Sequence, residues 1–506
     1  MSRRSWGAFC LAAILSGCAS VGPDYQRPYL EAPVQWTESR EKAGEALALE
    51  EIAWWRAFGD PVLNGLIEKA AKTNLDLEQA WARIAQARAD VMVAGAAAWP
   101  SVKGTGSVTR SQGGTSTITS GSSSPQSLAT TPGTIFQAGF DASWEIDVFG
   151  GTRRSVEAAR AKLAASVEDL RATLLTLLGD VAKNYVDLRA NQAQLEITRA
   201  NVESQEQTVE VTRERYRLGL TTYLDVAQAE AQKAATASNL PALEASIKQS
   251  IHRLGILLGQ EPNALKAQLL VNRPLPQAGR VMAAGLPSDL LARRPDLRQV
   301  ERQLAAASAD IGVATAELYP KFDLTAALGL QGTDMSKFLK VSSGRYWSLI
   351  PGVTWNLFDG GKARGTVKNK QAVYREKLAH YRASFLQALE EVENYLAAYY
   401  GEQRKHLILA DSVQANEVAV ALARERYRRG LTSFLDVLTA ENSLYTAQSN
   451  LSKSAANLLT DLISLYKALG GGWNAADIRV AEAPEEQCGS FITKIQTQKG
   501  LKNDGN

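Results

Sequence analysis

Arg213–Glu230 reads RERYRLGLTTYLDVAQAE and Arg424–Glu441 reads RERYRRGLTSFLDVLTAE, with 13 of 18 positions identical at an offset of 211 residues. A match of that length makes the chain two copies of one structural unit. In each stretch a glycine (Gly219, Gly430) lies between two segments of helical periodicity, so each is read as the turn of an αα-hairpin. The helix entering each turn is long. Gly150-Gly151 and Gly360-Gly361 mark where it begins, and from there to Arg217 and Arg429 there is no Pro and hardly a Gly. That predicts helices of roughly 60 residues, on the order of 90–100 Å. Leu163, Val167, Leu170, Leu174, Leu177, Val181 and Leu188 keep a heptad a/d spacing. Beyond them Asn191, Thr198 and Gln205 turn polar, which predicts a seam bordering water. The returning helix of the second copy repeats the spacing through Leu444, Gln448, Leu451, Ala455, Leu458, Leu462, Leu465 and Leu469, and Gly470-Gly471-Gly472 ends it.

Working outward, Pro61–Ala98 reads as one helix stopped by Trp99-Pro100, and Leu290–Leu318 as its second copy, stopped by Tyr319-Pro320. Asp76 to Pro100 and Asp296 to Pro320 are equally spaced, which supports the repeat independently. Strand signals follow both prolines. Phe136, Ala138, Phe140, Ala142, Trp144 and Ile146 alternate with Gln137, Gly139, Asp141, Ser143, Glu145 and Asp147, an apolar face and a polar one. Val102–Thr109 alternates more weakly. In the second copy Phe322, Leu324, Ala326, Leu328 and Leu330 form one apolar face, and Trp347, Leu349, Pro351, Val353, Trp355 and Leu357 another. These runs have about the 9–11 residues a tilted strand needs to cross a bilayer, with aromatics near their ends. The Ser/Thr/Gly-rich stretch Gly104–Gly133 and the shorter Gly332–Gly344 read as loops outside the membrane.

Composition excludes several classes. Among 506 residues, 45% are hydrophobic and 22% charged, and the mean hydropathy of -0.19 is too low for a polytopic helical membrane protein. A net charge of +3 gives no sign of a nucleic-acid partner. Cys10, Cys18 and Cys488 are too scattered for a structural disulfide, and His252, His380 and His406 make no metal constellation. No Ser-His-Asp set, carboxylate pair or phosphate loop occurs, so neither an enzyme nor a cofactor is expected. The amino terminus has a basic start (Arg3, Arg4), an apolar core (Trp6–Leu15) and small residues before Cys18, which is the pattern of a signal peptide.

Four two-faced strands cannot close a barrel, and an open edge in hydrocarbon leaves backbone groups unpaired at several kcal/mol each. Strands that cross a membrane must therefore find partners on sister chains. Eight strands leave an interior filled by side chains, whereas Asp141, Glu145, Asp147 and Asp323 call for water, so twelve strands from a trimer fit better.

Leu15-Ser-Gly-Cys18 resembles the lipobox of bacterial lipoproteins, and Ala19 in place of Asp implies the outer membrane. The whole pattern resembles TolC-like outer membrane factors, specifically the NodT-type efflux lipoproteins. The resemblance rests on that lipobox, on Trp144-Glu-Ile-Asp-Val-Phe-Gly and Trp355-Asn-Leu-Phe-Asp-Gly-Gly, on Leu291-Ala-Arg-Arg-Pro-Asp-Leu-Arg, and on Gly470-Gly-Gly-Trp473. It implies a mainly α fold with a membrane β part: a two-fold repeat of coiled-coil hairpins plus four transmembrane strands per chain. As a homotrimer these complete a 12-stranded β-barrel and a 12-helix α-barrel. The implied organisation is a signal peptide (1–17), a lipidated arm (18–60), repeat 1 (61–284) and repeat 2 (285–472), then a loosely ordered tail (473–506). Repeat 1 has strands about 101–111 and 134–149 and a tip about 217–222; repeat 2 has strands about 320–331 and 345–358 and a tip about 428–433. The implied function is the Gram-negative outer-membrane exit duct of a tripartite efflux pump, with a periplasmic adaptor, an inner-membrane transporter and outer-membrane lipid as partners. The alternative is a periplasmic adaptor-type lipoprotein, which would normally have one hairpin rather than two.

At the tips, Gly219 is expected to be left-handed, with Thr222 capping the next helix and Asp225 completing a capping box; Gly430, Ser433 and Asp436 repeat the arrangement. By resemblance, Gly219, Leu220, Thr221, Gly430, Leu431 and Thr432 meet the adaptor, while Asp436 and Asp225 line the periplasmic aperture. Thr432 and Thr439 depart from the family's best-known member, which has a basic latch residue and a second acid there. Arg213, Arg215, Arg217, Arg424, Arg426, Arg428 and Arg429 form a basic collar, read as complementing the helix C-termini.

Overall fold

The computed structural model describes residues 20–38, 53–112, 115–118, 126–129, 133–277, 293–339 and 341–471. Cys18, the leader, Leu291 and the tail 473–506 lie outside them. The described residues of Met1–Tyr29, Ile84–Ser166 and Val300–Tyr381 form one compact unit, and those of Leu30–Arg83, Val167–Gln299 and Arg382–Asn506 a second. Both repeats contribute to each.

In chain order the helices are α1 (Pro61–Thr73), α2 (Leu75–Ala96), α3 (Gly151–Arg217), α4 (Tyr223–Ala237), α5 (Leu240–Leu257), α6 (Lys266–Leu269), α7 (Pro295–Ala316), α8 (Met335–Phe338), α9 (Val341–Gly344), α10 (Lys362–Arg428) and α11 (Phe434–Ala468). The strands are β1 (Ser101–Ser111), β2 (Thr115–Ile118), β3 (Gln126–Ala129), β4 (Gly133–Ile146), β5 (Lys321–Gly332) and β6 (Arg345–Thr354). Helices α3 and α10 each run 67 residues, about 100 Å of uninterrupted helix.

The continuous helix expected over Pro61–Ala98 is broken at Asn74, which is extended (φ -71°, ψ 133°). Its Oδ1 accepts from the N–H groups of Asp76 (2.8 Å) and Leu77 (3.1 Å), and its Nδ2 donates to the Leu257 carbonyl (2.9 Å). A buried side chain that caps one helix and ties it to another favours a restart over a helical residue. Asn74→Ala should cost about 1–3 kcal/mol from the lost cap and the stranded carbonyl. Thermal unfolding followed by circular dichroism checks this, and an unchanged midpoint contradicts it.

The returning arms differ between copies. α11 is continuous over 35 residues, whereas the first copy breaks between α4 and α5, where Pro241 stands in the first turn of α5 and removes a backbone donor. Val181, Tyr185, Val186 and Leu188 of α3, Leu63 and Ile67 of α1, and Leu462 and Leu465 of α11 are fully buried. Trp36 of the amino-terminal arm packs with Leu297, Phe385, Val392 and Leu396, and Trp54 stacks on Tyr466 at 5.4 Å. Of the polar a/d positions of α3, Thr198 and Gln205 do not border water as expected but are buried, whereas Asn191 stays partly exposed. Thr198 belongs to a polar seam with α11, where it meets Tyr445 (3.4 Å), Gln194 donates to Ser449 (2.9 Å), Asn201 to Gln448 (2.9 Å) and Thr208 to Glu441 (2.6 Å). Thr198, Gln194, Asn201 and Thr208 replace apolar knobs there because each finds a partner across the seam, whereas the buried Gln205 amide makes no hydrogen bond among the described residues.

In the other unit β1, β4, β5 and β6 form an antiparallel sheet in the order β1-β4-β5-β6. Its registers align the alternation of all four strands. Val102↔Ala142↔Ala326↔Leu349 form one row, and Gly104↔Phe140↔Leu328↔Trp347 the next. All the apolar sets therefore share one face. Phe140 (63% exposed), Leu328 (62%), Trp347 (76%) and Val353 (64%) lie uncovered on it. The opposite face carries Lys103, Asp141, Gln137, Gln331, Glu145 and Asp323 by the same registers. β1 and β6 are the edges, each without a further partner among the described residues. At the helix end of the sheet the two copies repeat a detail: Trp144 Nε1 donates to the Ala98 carbonyl (3.0 Å) and Trp355 Nε1 to that of Leu318 (3.1 Å). Each carbonyl is two residues before the helix-stopping proline.

Candidate functional site at the hairpin turns

Each long helix ends in a Schellman turn. In the first, Gly219 N–H donates to Tyr216 O and Leu220 N–H to Arg215 O, both at 2.9 Å; in the second, Gly430 and Leu431 repeat this with Tyr427 and Arg426, again at 2.9 Å. Gly219 and Gly430 have φ of 71°, a region where an L side chain is strained.

The restart differs from the expected one. Thr222 is the N-cap of α4, but its hydroxyl makes no capping bond. Thr221 Oγ1 instead donates to the Asp225 carboxylate, and Thr432 Oγ1 likewise to Asp436. The carboxylate thus takes the hydroxyl one position further back, leaving Thr222 without that role. In the second copy the expected capping box of Ser433 and Asp436 is present, with Ser433 N–H (3.2 Å) and Oγ (3.1 Å) both donating to Asp436 Oδ2. Hydrogen bonds from Thr432 and Ser433 hold the Asp436 carboxyl below the usual carboxylate range. Since its folded pKa is depressed, its contribution to the turn is complete above the ordinary carboxylate value and is lost as pH falls through the lowered one. The turn is therefore fully capped at neutral pH.

The basic collar is mostly committed to carboxylates rather than left for the helix dipole. Arg213 pairs with Glu230 and Glu210, and Arg424 with Glu441, each at 2.6 Å. Arg429 pairs with Glu425 (2.7 Å) and Arg217 with Glu214 (3.3 Å). Arg213–Glu230 and Arg424–Glu441 are one pair in two copies, linking each descending helix to its return. The offset of 211 residues places both members of both pairs in register, a signal the sequence reading passed over. Arg215 was also missed as a bridging residue: its Nη1 donates to the Arg428 carbonyl at 2.9 Å, and its guanidinium lies 4.7 Å from the centre of the buried Tyr427 ring. It ties the first turn to the second. Its repeat counterpart Arg426 instead lies where its charge lowers the Asp436 pKa.

Around this polar frame the turns present apolar side chains to solvent. Leu218, Leu220, Tyr223 and Leu224 of the first and Leu431 and Leu435 of the second are exposed. An apolar cluster on a rigid turn is suited to bind a partner, not to do chemistry. Among the described residues no group of His, Cys, Asp and Glu could hold a metal.

Comparison with known proteins agrees with this architecture. The profile of the Outer membrane efflux protein family matches residues 66–260 and 286–471, one segment on each repeat. The chain belongs to this family. It is 32% identical over 476 residues to Nodulation protein T of Rhizobium leguminosarum bv. viciae, covering 93% of this chain and 94% of that one. It is 35% identical over 441 residues to the pyoverdine export outer membrane protein OpmQ of Pseudomonas putida, covering 86% and 91%. Among solved structures, the outer-membrane channel OprN superimposes with a TM-score of 0.82 at 33% identity, over 90% of this chain and 99% of that one. CusC gives 0.75 at 27% identity, over 90% and 100%. The family member described here is an outer-membrane efflux channel, as the resemblance implied, and the adaptor alternative is not favoured.

Proposed function

We propose that three copies of this chain close into a single passive duct that carries solutes out through the outer membrane. The observation that carries this reading is the sheet. Four strands align their main apolar sets on one exposed face, turn most of their charges to the other, and end in two open edges. In hydrocarbon such edges require partners, and sister chains supply the same edges in complementary order. Twelve strands make the barrel, and the four helical arms of each chain's two hairpins, twelve in the trimer, make the periplasmic tube. α10 leaves Leu407, Ile408, Val418 and Leu422 exposed, an apolar stripe that a neighbouring copy would cover.

In this reading residues 1–17 are removed as a signal peptide and Cys18 is acylated, so that the arm (18–60) anchors the chain in the outer membrane. Repeats 61–284 and 285–472 form the duct, and 473–506 is a tail. A periplasmic adaptor docks on the turns through Gly219, Leu220, Thr221, Gly430, Leu431 and Thr432, and an inner-membrane transporter supplies the cargo. Asp225 and Asp436 face the aperture, where three-fold repetition of a carboxylate repels its copies and attracts cations. No chemistry on the cargo is assigned to this chain. Relatives are named for pyoverdine export and for toluene efflux, and we assign the choice of cargo to the pump.

Single-channel recording in planar bilayers tests the duct. The purified protein should insert and conduct, and Asp436→Asn, which keeps a capping acceptor but removes the charge, should raise conductance and weaken cation preference. Failure of the wild-type protein to conduct sinks the duct. Unchanged conductance and selectivity in Asp436→Asn, with altered conductance only in Asp436→Ala, assigns Asp436 to the cap alone.

A further inference from the structure

One row of the sheet, on its polar face, is unlike the others. Thr105, Gly139, Gly329 and Tyr346 are neighbours across the four strands, and the two central strands come closer together there than any side chain permits. A Cβ on Gly139 would stand 2.7 Å from the Leu328 carbonyl oxygen, 2.9 Å from Gly329 Cα and 3.0 Å from Tyr346 Oη. A Cβ on Gly329 would stand 2.5 Å from the Ala138 oxygen, 2.8 Å from Gly139 Cα and 2.9 Å from Tyr346 Cε1. The ring of Tyr346 therefore leaves β6, crosses β5 and reaches β4, lying along a floor made of two facing glycines. Gln137, one row further out on the same face, donates from Nε2 to Tyr346 Oη at 2.9 Å. The ring is half-buried in consequence.

We propose that Tyr346 sets the bore of the β part, and that Gly139, Gly329 and Gln137 exist to hold its ring against the wall. This rests on the reading of the polar face as the inside of a trimeric barrel, where three such rings stand at one level. A ring lying flat adds about one van der Waals layer, roughly 3.5–4 Å, to the wall. A ring lifted by a side chain beneath it would project toward the axis, three times over, and narrow the passage for bulky solutes. The row is a size filter whose setting depends on glycine, and Tyr346 is its specificity-determining residue.

The test reads the β part without regard to the state of the tips. Asp323 lies on the same face, and Gly329 is six residues further along β5 toward the strand ends next to the loops. In a Cys488→Ser background, Asp323→Cys on intact cells is labelled with maleimide polymers of graded size added outside. Small maleimides should label it in every variant. Gly329→Ala should slow labelling by the mid-sized polymers at least about fivefold, and Tyr346→Ala should admit larger ones than wild type, because passage depends steeply on pore diameter. The double variant Gly329→Ala/Tyr346→Ala should behave as Tyr346→Ala. If Gly329→Ala fails to assemble, Gln137→Ala takes its place, freeing the ring and slowing the same polymers. An unchanged size limit in Tyr346→Ala overturns the filter while leaving the duct intact. No labelling of Asp323→Cys by the smallest reagent overturns the duct itself.

Discussion

Gly219→Val and Gly430→Val are expected to abolish efflux while the protein still assembles in the outer membrane. Both glycines have φ of 71°, in a region that costs an L residue roughly 1–2 kcal/mol, that Asn and Asp visit and that β-branched residues avoid. The penalty is conformational, because a Cβ at Gly219 would meet nothing within 4 Å and one at Gly430 only Arg215 Nη2 at 3.7 Å. Relief of the strain requires opening the Schellman bonds, which dissolves the turn that displays Leu220 and Leu431. The strands, more than 60 residues away in sequence, are untouched. Efflux should therefore fall to the level of a deletion strain in a drug-susceptibility assay, with normal amounts of protein in the membrane. Gly219→Asn, which tolerates the left-handed region, should retain most activity. Full efflux in both valine variants would mean that the turns are not where the partner docks.

Arg215→Ala should make the duct open more often. Its guanidinium joins the two turns through the Arg428 carbonyl and the Tyr427 face, contacts worth about 1–2 kcal/mol together. Losing that much shifts the opening equilibrium of each subunit by about 5- to 30-fold. Channels in planar bilayers should show longer and more frequent openings, and cells should become more sensitive to large antibiotics that enter through a leaking duct. Arg215→Lys should not rescue, since an ammonium lacks the planar face that covers the ring. Wild-type gating in Arg215→Ala would show that the turns are held together elsewhere, for example by the Thr208–Glu441 bond.

Much of this was legible in the sequence because the determining patterns are long or repeated. Period-two alternation located the four main strands, although β4 ends at Ile146 and β6 at Thr354, short of the expected 149 and 358. The absence of proline gave the two long helices, and the repeat gave the turns. What escaped depends on partners distant in sequence. Asn74 breaks a helix because the Leu257 carbonyl, 183 residues away, needs its amide. Thr198 reads as wet because only the folded seam reveals that α11 offers Tyr445 as its partner, and Gln205 because its burial comes from packing and not from a hydrogen bond. The Thr221–Asp225 contact turns on which of two adjacent threonines faces the carboxylate, and composition is the same either way. Arg215 and Arg426 hold equivalent positions in the repeat, so no sequence signal separates the one that bridges from the one that stays local.

The mass of the detergent-solubilised protein, measured by native mass spectrometry with the acyl anchor present, tests the central claim most directly. A single species of three chains that resists dissociation until heated, and that persists when Cys18 is replaced, is what strands paired across subunits predict. A monomer that stays in aqueous buffer once the anchor is gone would contradict it, because the open edges of β1 and β6 would then need no neighbour.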